Sequence, residues 1–211
     1  MAQQDTGTHW DRRWSESDTD QVSWYEPVAA TSSRLIVQNC PASTPVVDVG
    51  AGRSTLAASL VQRGYHDVTV LDVSQVALGS TSRGTHRVVT DVLSWHPARQ
   101  YGAWHDRAVF HFLTDLDDQA RYRRLAVDTI LPGGCLVLAT FAPGGPDSCS
   151  GLPVHRWDAE KLGAFFAPAF SAVHSETEDH TTPTGAVQPF TWLVLRRTNL
   201  SDSDTEDRRT Q

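Results

Sequence analysis

The 211-residue chain has one lysine, Lys161, against 17 arginines, and only three cysteines. Cys40, Cys135 and Cys149 are odd in number and show no C-x-x-C spacing. That argues against a disulfide framework or a zinc site and for reduced thiols. No apolar run approaches the ~20 residues of a membrane helix. The polar start, MAQQDTGTHWDRRW, lacks the apolar centre of a secretory signal. A cytoplasmic protein without a membrane partner is the expectation. Basic residues form no block, and the net charge is −7 with a pI near 5.6. A nucleic acid would be held against overall repulsion, so that partner is disfavoured. No repeat at solenoid period is visible. What remains, 39% hydrophobic and 20% charged residues, suits one soluble domain with a sizeable core.

The stretch Val46-Val47-Asp48-Val49-Gly50-Ala51-Gly52-Arg53-Ser54-Thr55 organises the chain. A β-branched run reaches two glycines and then a helix start, the pattern of a strand turning sharply beside a nucleotide-like ligand. Gly50 and Gly52 allow positive φ and a close backbone approach, and Ser54 or Thr55 can cap the helix. A dinucleotide fingerprint, G-x-G-x-x-G, would need glycine where Thr55 stands. A nicotinamide dehydrogenase is therefore disfavoured.

Residues 1–8 read as frayed, and His9 to Trp14 as one or two helical turns with Trp10 and Trp14 on one face. A helix is expected near 28–38. Residues 54–63 form another, ended by Gly64. Strands follow at 67–72 and 86–90, with a helix near 74–82 between them. A fourth strand is expected over 104–110, a helix over 117–130, and a turn at Leu131-Pro132-Gly133-Gly134 before a buried fifth strand, 135–141. Residues 142–153 read as a loop, 158–166 as a helix, and 170–178 and 187–197 as a closing antiparallel hairpin. Residues 199–211 read as a disordered acidic tail. Alternating strands and helices predict an α/β, Rossmann-like, doubly wound and mostly parallel seven-stranded sheet. Its ligand belongs at the carboxyl ends of the strands. Asp72, 20 residues after Gly52, stands where a carboxylate accepts both hydroxyls of a ribose.

Taken together, D-V-G-A-G at 48–52, Asp72, Asp91-Val92 and L-P-G-G at 131–134 resemble the class I S-adenosylmethionine-dependent methyltransferases across about residues 20–197. W-D-R-R-W with S-W-Y-E-P is similar to small bacterial members near the thiopurine and tellurite-resistance methyltransferases. W-H-D-R-A-V-F-H-F-L-T and C-S-G-L-P-V-H-R look like motifs of an uncharacterised bacterial branch. Arg53-Ser54 departs from a third glycine found in many relatives, which alters the loop rather than abolishing binding. The resemblance implies S-adenosylmethionine as cofactor, S-adenosylhomocysteine as product, and an acidic Asp91 that accepts from the adenine amino group with Val92 against the ring. Cofactor contacts are expected from Asp48, Gly50, Ala51, Gly52, Asp72, Val73, Asp91, Val92 and Trp14.

The expected reaction is in-line methyl transfer to a small-molecule thiol or chalcogen, hydroxyl or amine. Residues 1–26 form an aromatic segment that either pins itself to the core or covers the cofactor and excludes water; residues 27–198 form the catalytic domain. On the acceptor side, His111 and Asp106 are the candidate catalytic groups, His111 as general base near neutral pH or else as a core histidine between Phe110 and Phe112. Trp24, Tyr25, Arg107, Cys149, His155 and Arg156 are candidate acceptor contacts. Arg107 would hold an acidic acceptor or simply pair with Asp106. His180 reads as a surface or loop-tethering residue. A protein-lysine methyltransferase and a non-catalytic S-adenosylmethionine-binding partner protein are the alternatives. No metal site is expected, and the sequence leaves the oligomeric state, monomer or dimer, open.

Overall fold

The computed structural model describes residues 3–79 and 84–199. α1 (Gln3–Glu16) and α2 (Ala30–Asn39) precede β1 (Val46–Val49), α3 (Leu56–Gln62), β2 (Val68–Asp72), α4 (Gln75–Leu78), β3 (His86–Val89) and β4 (Tyr101–Arg107). Then come α5 (Leu116–Thr129), β5 (Ile130–Phe141), the two-residue strands β6 (Ser148–Cys149) and β7 (Leu152–Pro153), α6 (Ala159–Phe166), β8 (Phe170–Thr181) and β9 (Val187–Arg197).

Seven strands form one sheet in the order β3-β2-β1-β4-β5-β9-β8. β1 pairs in parallel with β2 and β4, and the chain continues outward in parallel to β3 on one side and β5 on the other. β9 alone runs against the rest, between β5 and β8. This is the doubly wound sheet with a closing hairpin that the sequence predicts. The strand order reverses at β1, which leaves a crevice beyond the carboxyl ends of β1 and β4.

The strand residues alternate between two cores. Val46, Val68, Ala103, Val137 and Trp192 face α2 and α3. Val47, Leu71, Trp104, Leu136 and Leu193 face α5 and α6. β1 is buried along its whole length, as expected for a parallel strand covered on both faces. Local caps fix the helix starts. Asp115 accepts from the Asp117 and Asp118 amides at 2.8 and 3.3 Å, and Asp158 from the Lys161 amide at 2.7 Å.

Five boundaries differ from expectation. α1 begins at Gln3, so the stretch expected to fray is largely helical. Residue 74 caps a helix that ends at Leu78, and 80–83 lie outside the described residues. β4 spans 101–107 rather than 104–110, because Ala108 takes φ +72 and the chain turns into a 3-10 turn over Phe110–Phe112. The L-P-G-G residues run inside β5, with Gly133 at φ +76. The expected loop over 142–153 contains the β6–β7 hairpin. The structure also brings the sulfurs of Cys40 and Cys135 within bonding distance, across 95 residues, so the expectation of separate thiols is corrected; Cys149 stays free. The expected tail from 200 onward lies outside the described residues.

Candidate functional site

β1 ends on Val49 and the chain turns at Gly50 (φ +66) and Gly52 (φ +53). A side chain at Gly50 would place its Cβ 2.0 Å from Val109 Cγ2, and one at Gly52 would lie 2.9 Å from Trp14 Cζ2. Glycine is needed at both positions for backbone conformation and for space. The turn is tied to the end of β2: the Gly52 amide donates to Asp72 Oδ2 at 2.9 Å, and the Ser74 amide to Asp72 Oδ1 at 2.8 Å. Burial pushes the Asp72 carboxyl up to about 6, with those two amides opposing.

Two cavities open from this turn and share Trp14, Trp24, Gly50 and Arg107 as walls. The larger, about 950 Å³, lies over the ends of β1, β2 and β3. Val49, Leu71, Val73, Val92 and Leu113 give it an apolar lining, with Asp72 and Asp91 at its polar edge. Asp91 caps the 3-10 turn that follows β3, its Oδ1 accepting from the Leu93 amide at 2.7 Å. Cys149 also lines it, and burial raises the thiol, against hydrogen bonds from Ser150 and Ser23.

The smaller cavity, about 580 Å³, lies against the glycine turn and is lined by Ala51, Arg53, Tyr25, Glu26, Asp48, His105 and Arg107 among others. Arg107 is the junction of the site. Its Nη1 donates to the Trp24 carbonyl at 3.2 Å, its Nη2 lies 3.1 Å from Glu26 Oε1, and its guanidinium stacks 4.7 Å over Phe190. Its Nε and Nη2 make no hydrogen bond among the described residues. Burial lowers Arg107, opposed by Glu26 and Glu178, and burial raises Glu26, opposed chiefly by Arg107. Arg107 therefore pairs with Glu26, not with Asp106.

The amino-terminal segment roofs both cavities. Trp10 packs edge-on against Trp24 and Phe112, and Trp14 against Trp24, at centroid distances of 5.4–5.8 Å. Polar latches hold the roof down. Asp11 accepts from Ser74 Oγ at 2.6 Å, Arg53 donates to the Trp14 carbonyl at 3.2 Å, and His180 Nε2 meets the Ser23 carbonyl at 2.8 Å. His180 is thus a tether, but a buried one rather than a surface one.

The two candidate catalytic groups lie elsewhere. Asp106 is fully buried; it accepts from the Val109 and Phe110 amides and from Tyr122 Oη at 2.5 Å, while Trp104 Nε1 donates to Tyr122 Oη at 3.0 Å. Burial raises its carboxyl to about 6, against the donation from Tyr122. It holds the bend at Ala108 in place. His111 is also fully buried, between Phe112 and Phe141, and neither group lines the cavities. Burial and then Arg107 push His111 down to about 3, so it is neutral at any pH where a base would be needed. His155 stacks on Trp157 at 4.4 Å, and Arg156 donates to the Gly145 carbonyl at 3.2 Å; they too lie outside the cavity walls. The remaining expected contacts, Asp48, Gly50, Ala51, Gly52, Asp72, Val73, Asp91, Val92, Trp14, Trp24, Tyr25, Arg107 and Cys149, line one cavity or the other.

Glu26, His105, Trp10 and Phe112 were not among the expected site residues. Glu26 stood inside the S-W-Y-E-P motif, next to the expected contact Tyr25 and two residues from Trp24. His105 carried no signal of its own, since its place depends on the pairing of β4 with β1. Among the described residues, no group of three His, Cys, Asp or Glu side chains could hold a metal ion, and no helix is long and apolar enough to cross a membrane.

No family profile matches the sequence, and no curated protein matches it. Solved structures do. The 1,6-didemethyltoxoflavin-N1-methyltransferase of Burkholderia thailandensis, seen with 1,6-didemethyltoxoflavin and S-adenosylhomocysteine, is similar at TM-score 0.73 and 17% identity, over 94% of this chain and 92% of that one. A structure concerned with the conversion of a disulfide bond into a thioacetal group during echinomycin biosynthesis is similar at TM-score 0.71 and 19% identity, over 96% of each chain. The N-methyltransferase NodS of Bradyrhizobium japonicum, in complex with S-adenosylhomocysteine, is similar at TM-score 0.64 and 14% identity, over 90% and 98%. At such identities the likeness establishes the fold: this chain has the seven-stranded Rossmann-like architecture of these proteins.

Proposed function

We propose that the protein is an S-adenosylmethionine-dependent methyltransferase acting on a small molecule. The observation that carries this reading is the convergence of the glycine turn, Asp72 and the Asp91-Val92 pair on one apolar cavity at the switch point of the sheet. The residues present fit the cofactor. Each Asp72 oxygen is bound to one backbone amide and keeps acceptor capacity for a ribose hydroxyl. Asp91 has a second oxygen for the adenine amino group, and Val92 and Leu71 line the space for the ring. Asp48 Oδ2 is buried without a hydrogen-bond partner among the described residues, and an α-ammonium would satisfy it. When bound, S-adenosylmethionine supplies an electrophilic methyl group on a sulfonium.

The chain's own part is to place the acceptor and keep water out. Arg107, at the junction of the cavities with Nε making no hydrogen bond among the described residues and Nη2 held only by the ion pair with Glu26, would hold an oxygen of the acceptor. Trp10, Trp24 and Phe112 give a flat acceptor apolar walls. With His111 and Asp106 away from the cavity, this reading favours an acceptor that arrives already nucleophilic, such as a thiolate, another anion or a ring nitrogen. A roofed cavity of this size supports a small acceptor over a peptide channel. The narrower kinship with thiopurine and tellurite-resistance methyltransferases rests on the W-D-R-R-W and S-W-Y-E-P motifs.

Calorimetric titration of the full chain with S-adenosylmethionine, S-adenosylhomocysteine and NAD tests the cofactor. Saturable binding of the first two and none of NAD is expected; absence of S-adenosylhomocysteine binding overturns the reading. Methyl-labelled cofactor offered with thiol, selenol, hydroxyl and amine acceptors then tests turnover. Binding without transfer to any of them would favour a non-catalytic partner role.

A further inference from the structure

Asp48 on β1 and His105 on β4 are paired in register, and their side chains point to the same face of the sheet. His105 Nδ1 lies 2.7 Å from Asp48 Oδ1, with both residues more than nine-tenths buried. An ionised Asp48 can only accept, so Nδ1 carries the proton, and in the neutral imidazole Nε2 then presents a lone pair. Nε2 and Asp48 Oδ2 are both buried and without a hydrogen-bond partner among the described residues. Both residues line the smaller cavity. Two adjacent acceptors with no donor are costly to bury. Arg107, the cation nearest along β4, is occupied by Glu26 and the Trp24 carbonyl. A ligand that satisfies both acceptors brings N–H or O–H donors, and a positive charge suits the carboxylate.

We infer that His105 reads the α-ammonium of the cofactor's amino-acid tail, with Asp48 as its fixed partner, and so sets the chain's preference for adenosyl ligands that carry that amine. This rests on the adenosyl cofactor assigned under Proposed function. An ammonium presents three N–H donors and one positive charge, which suits one carboxylate oxygen and one neutral imidazole nitrogen. A carboxylate in the same place would face two lone pairs. The tail's carboxylate is thereby left to the donor side of the cavity, where Arg53 and the glycine turn stand.

The test is titration of the full chain with S-adenosylhomocysteine and with its desamino analogue, which keeps the carboxylate. The wild type is expected to prefer the amine-bearing ligand by about tenfold or more, as for a hydrogen bond to a charged group. His105→Leu should lose most of that preference by weakening S-adenosylhomocysteine alone. His105→Gln, whose Oε1 can stand in for Nε2, should keep part of it. Equal weakening of both ligands in His105→Leu would mark a merely structural residue and overturn the inference, as would an unchanged preference. Should His105→Leu fail to fold, ¹⁵N resonances of the wild-type histidines decide the matter. His105 Nε2 should be unprotonated in the free protein and shift with S-adenosylhomocysteine but not with the analogue; a proton on Nε2 overturns the inference. A wild type that binds both ligands without preference sinks this inference alone. One that binds neither sinks the cofactor assignment and this inference with it.

Discussion

The two ends of the site are built on different principles. The end over β1, β2 and β3 is made by short local signals: a glycine turn, a carboxylate closing β2, and another opening the turn after β3. The end at β4 is made by partners far apart in the chain. Arg107 reaches Glu26 and the Trp24 carbonyl across about 80 residues, and His180 reaches the Ser23 carbonyl across 157. On the proposed reading the first end is a rigid seat for the adenosyl cofactor. The second is assembled by tertiary packing and is free to differ between proteins that share this fold, as expected where the fold supplies the scaffold and a site grafted on it supplies the specificity.

The largest effect that would break this contrast belongs to the rigid end. Gly50→Ala puts a Cβ 2.0 Å from Val109 Cγ2 at a residue held at φ +66. Neither backbone nor neighbour can yield without disturbing the turn, so S-adenosylhomocysteine binding should fall by roughly two orders of magnitude or be lost. Calorimetry on variant protein with wild-type far-UV circular dichroism checks it. Adding Val109→Ala should recover part of the binding, because it removes the clash but not the strained φ.

At the other end, the double replacement Arg107→Met with Glu26→Gln removes the buried pair without leaving one charge unmatched, which would itself destabilise. S-adenosylhomocysteine affinity should stay within about threefold of wild type, while turnover on the best acceptor falls by about a hundredfold, as for loss of a buried charged contact. A matching loss of cofactor affinity would show that the two ends are one unit, and the contrast would fail.

The same contrast explains what was legible in the sequence. β1, the glycine turn and the order of elements follow from β-branched runs, caps and glycines, which are local. Asp72 was legible as a residue at the cavity because its place follows from where β2 stops. His111 and Asp106 stand three residues after and two residues before the bend at Ala108. Whether they faced the cavity or the core depended on that bend, which ended β4 at 107 instead of 110. A shift in where a strand ends changes which side chains leave its tip on which face. Their residue types suited a base; their burial made one a core histidine and the other an anchor for backbone amides. His105 shows the converse: pairing with Asp48, 57 residues earlier, gives it a role that no local pattern announces.

The smallest expected effect sharpens the account of the rigid end through pH. Burial raises Asp72 to about 6, above the ordinary aspartate value of 3.8. Ribose hydroxyls donate, so they favour the ionised carboxylate, and binding must expel a proton below that point. Adenosine, which has no amino-acid tail for His105 or Asp48 to meet, isolates the effect. Its affinity should be near full above about pH 7 and roughly tenfold lower at pH 5 than at pH 7, since one unit below a pKa leaves about a tenth of the group ionised. The free protein responds to the same group with the opposite sign. Because the folded pKa lies above the unfolded one, the contribution of Asp72 to stability is present in full below about 4 and is lost as pH rises through about 6. Acidification from pH 7 to 5 should therefore raise this contribution to the melting temperature of the free protein while shrinking the increment that adenosine adds. Asp72→Asn should flatten both slopes. An adenosine affinity that does not change with pH in the wild type would show that the carboxylate is engaged by the Gly52 and Ser74 amides alone and has nothing left for the ribose.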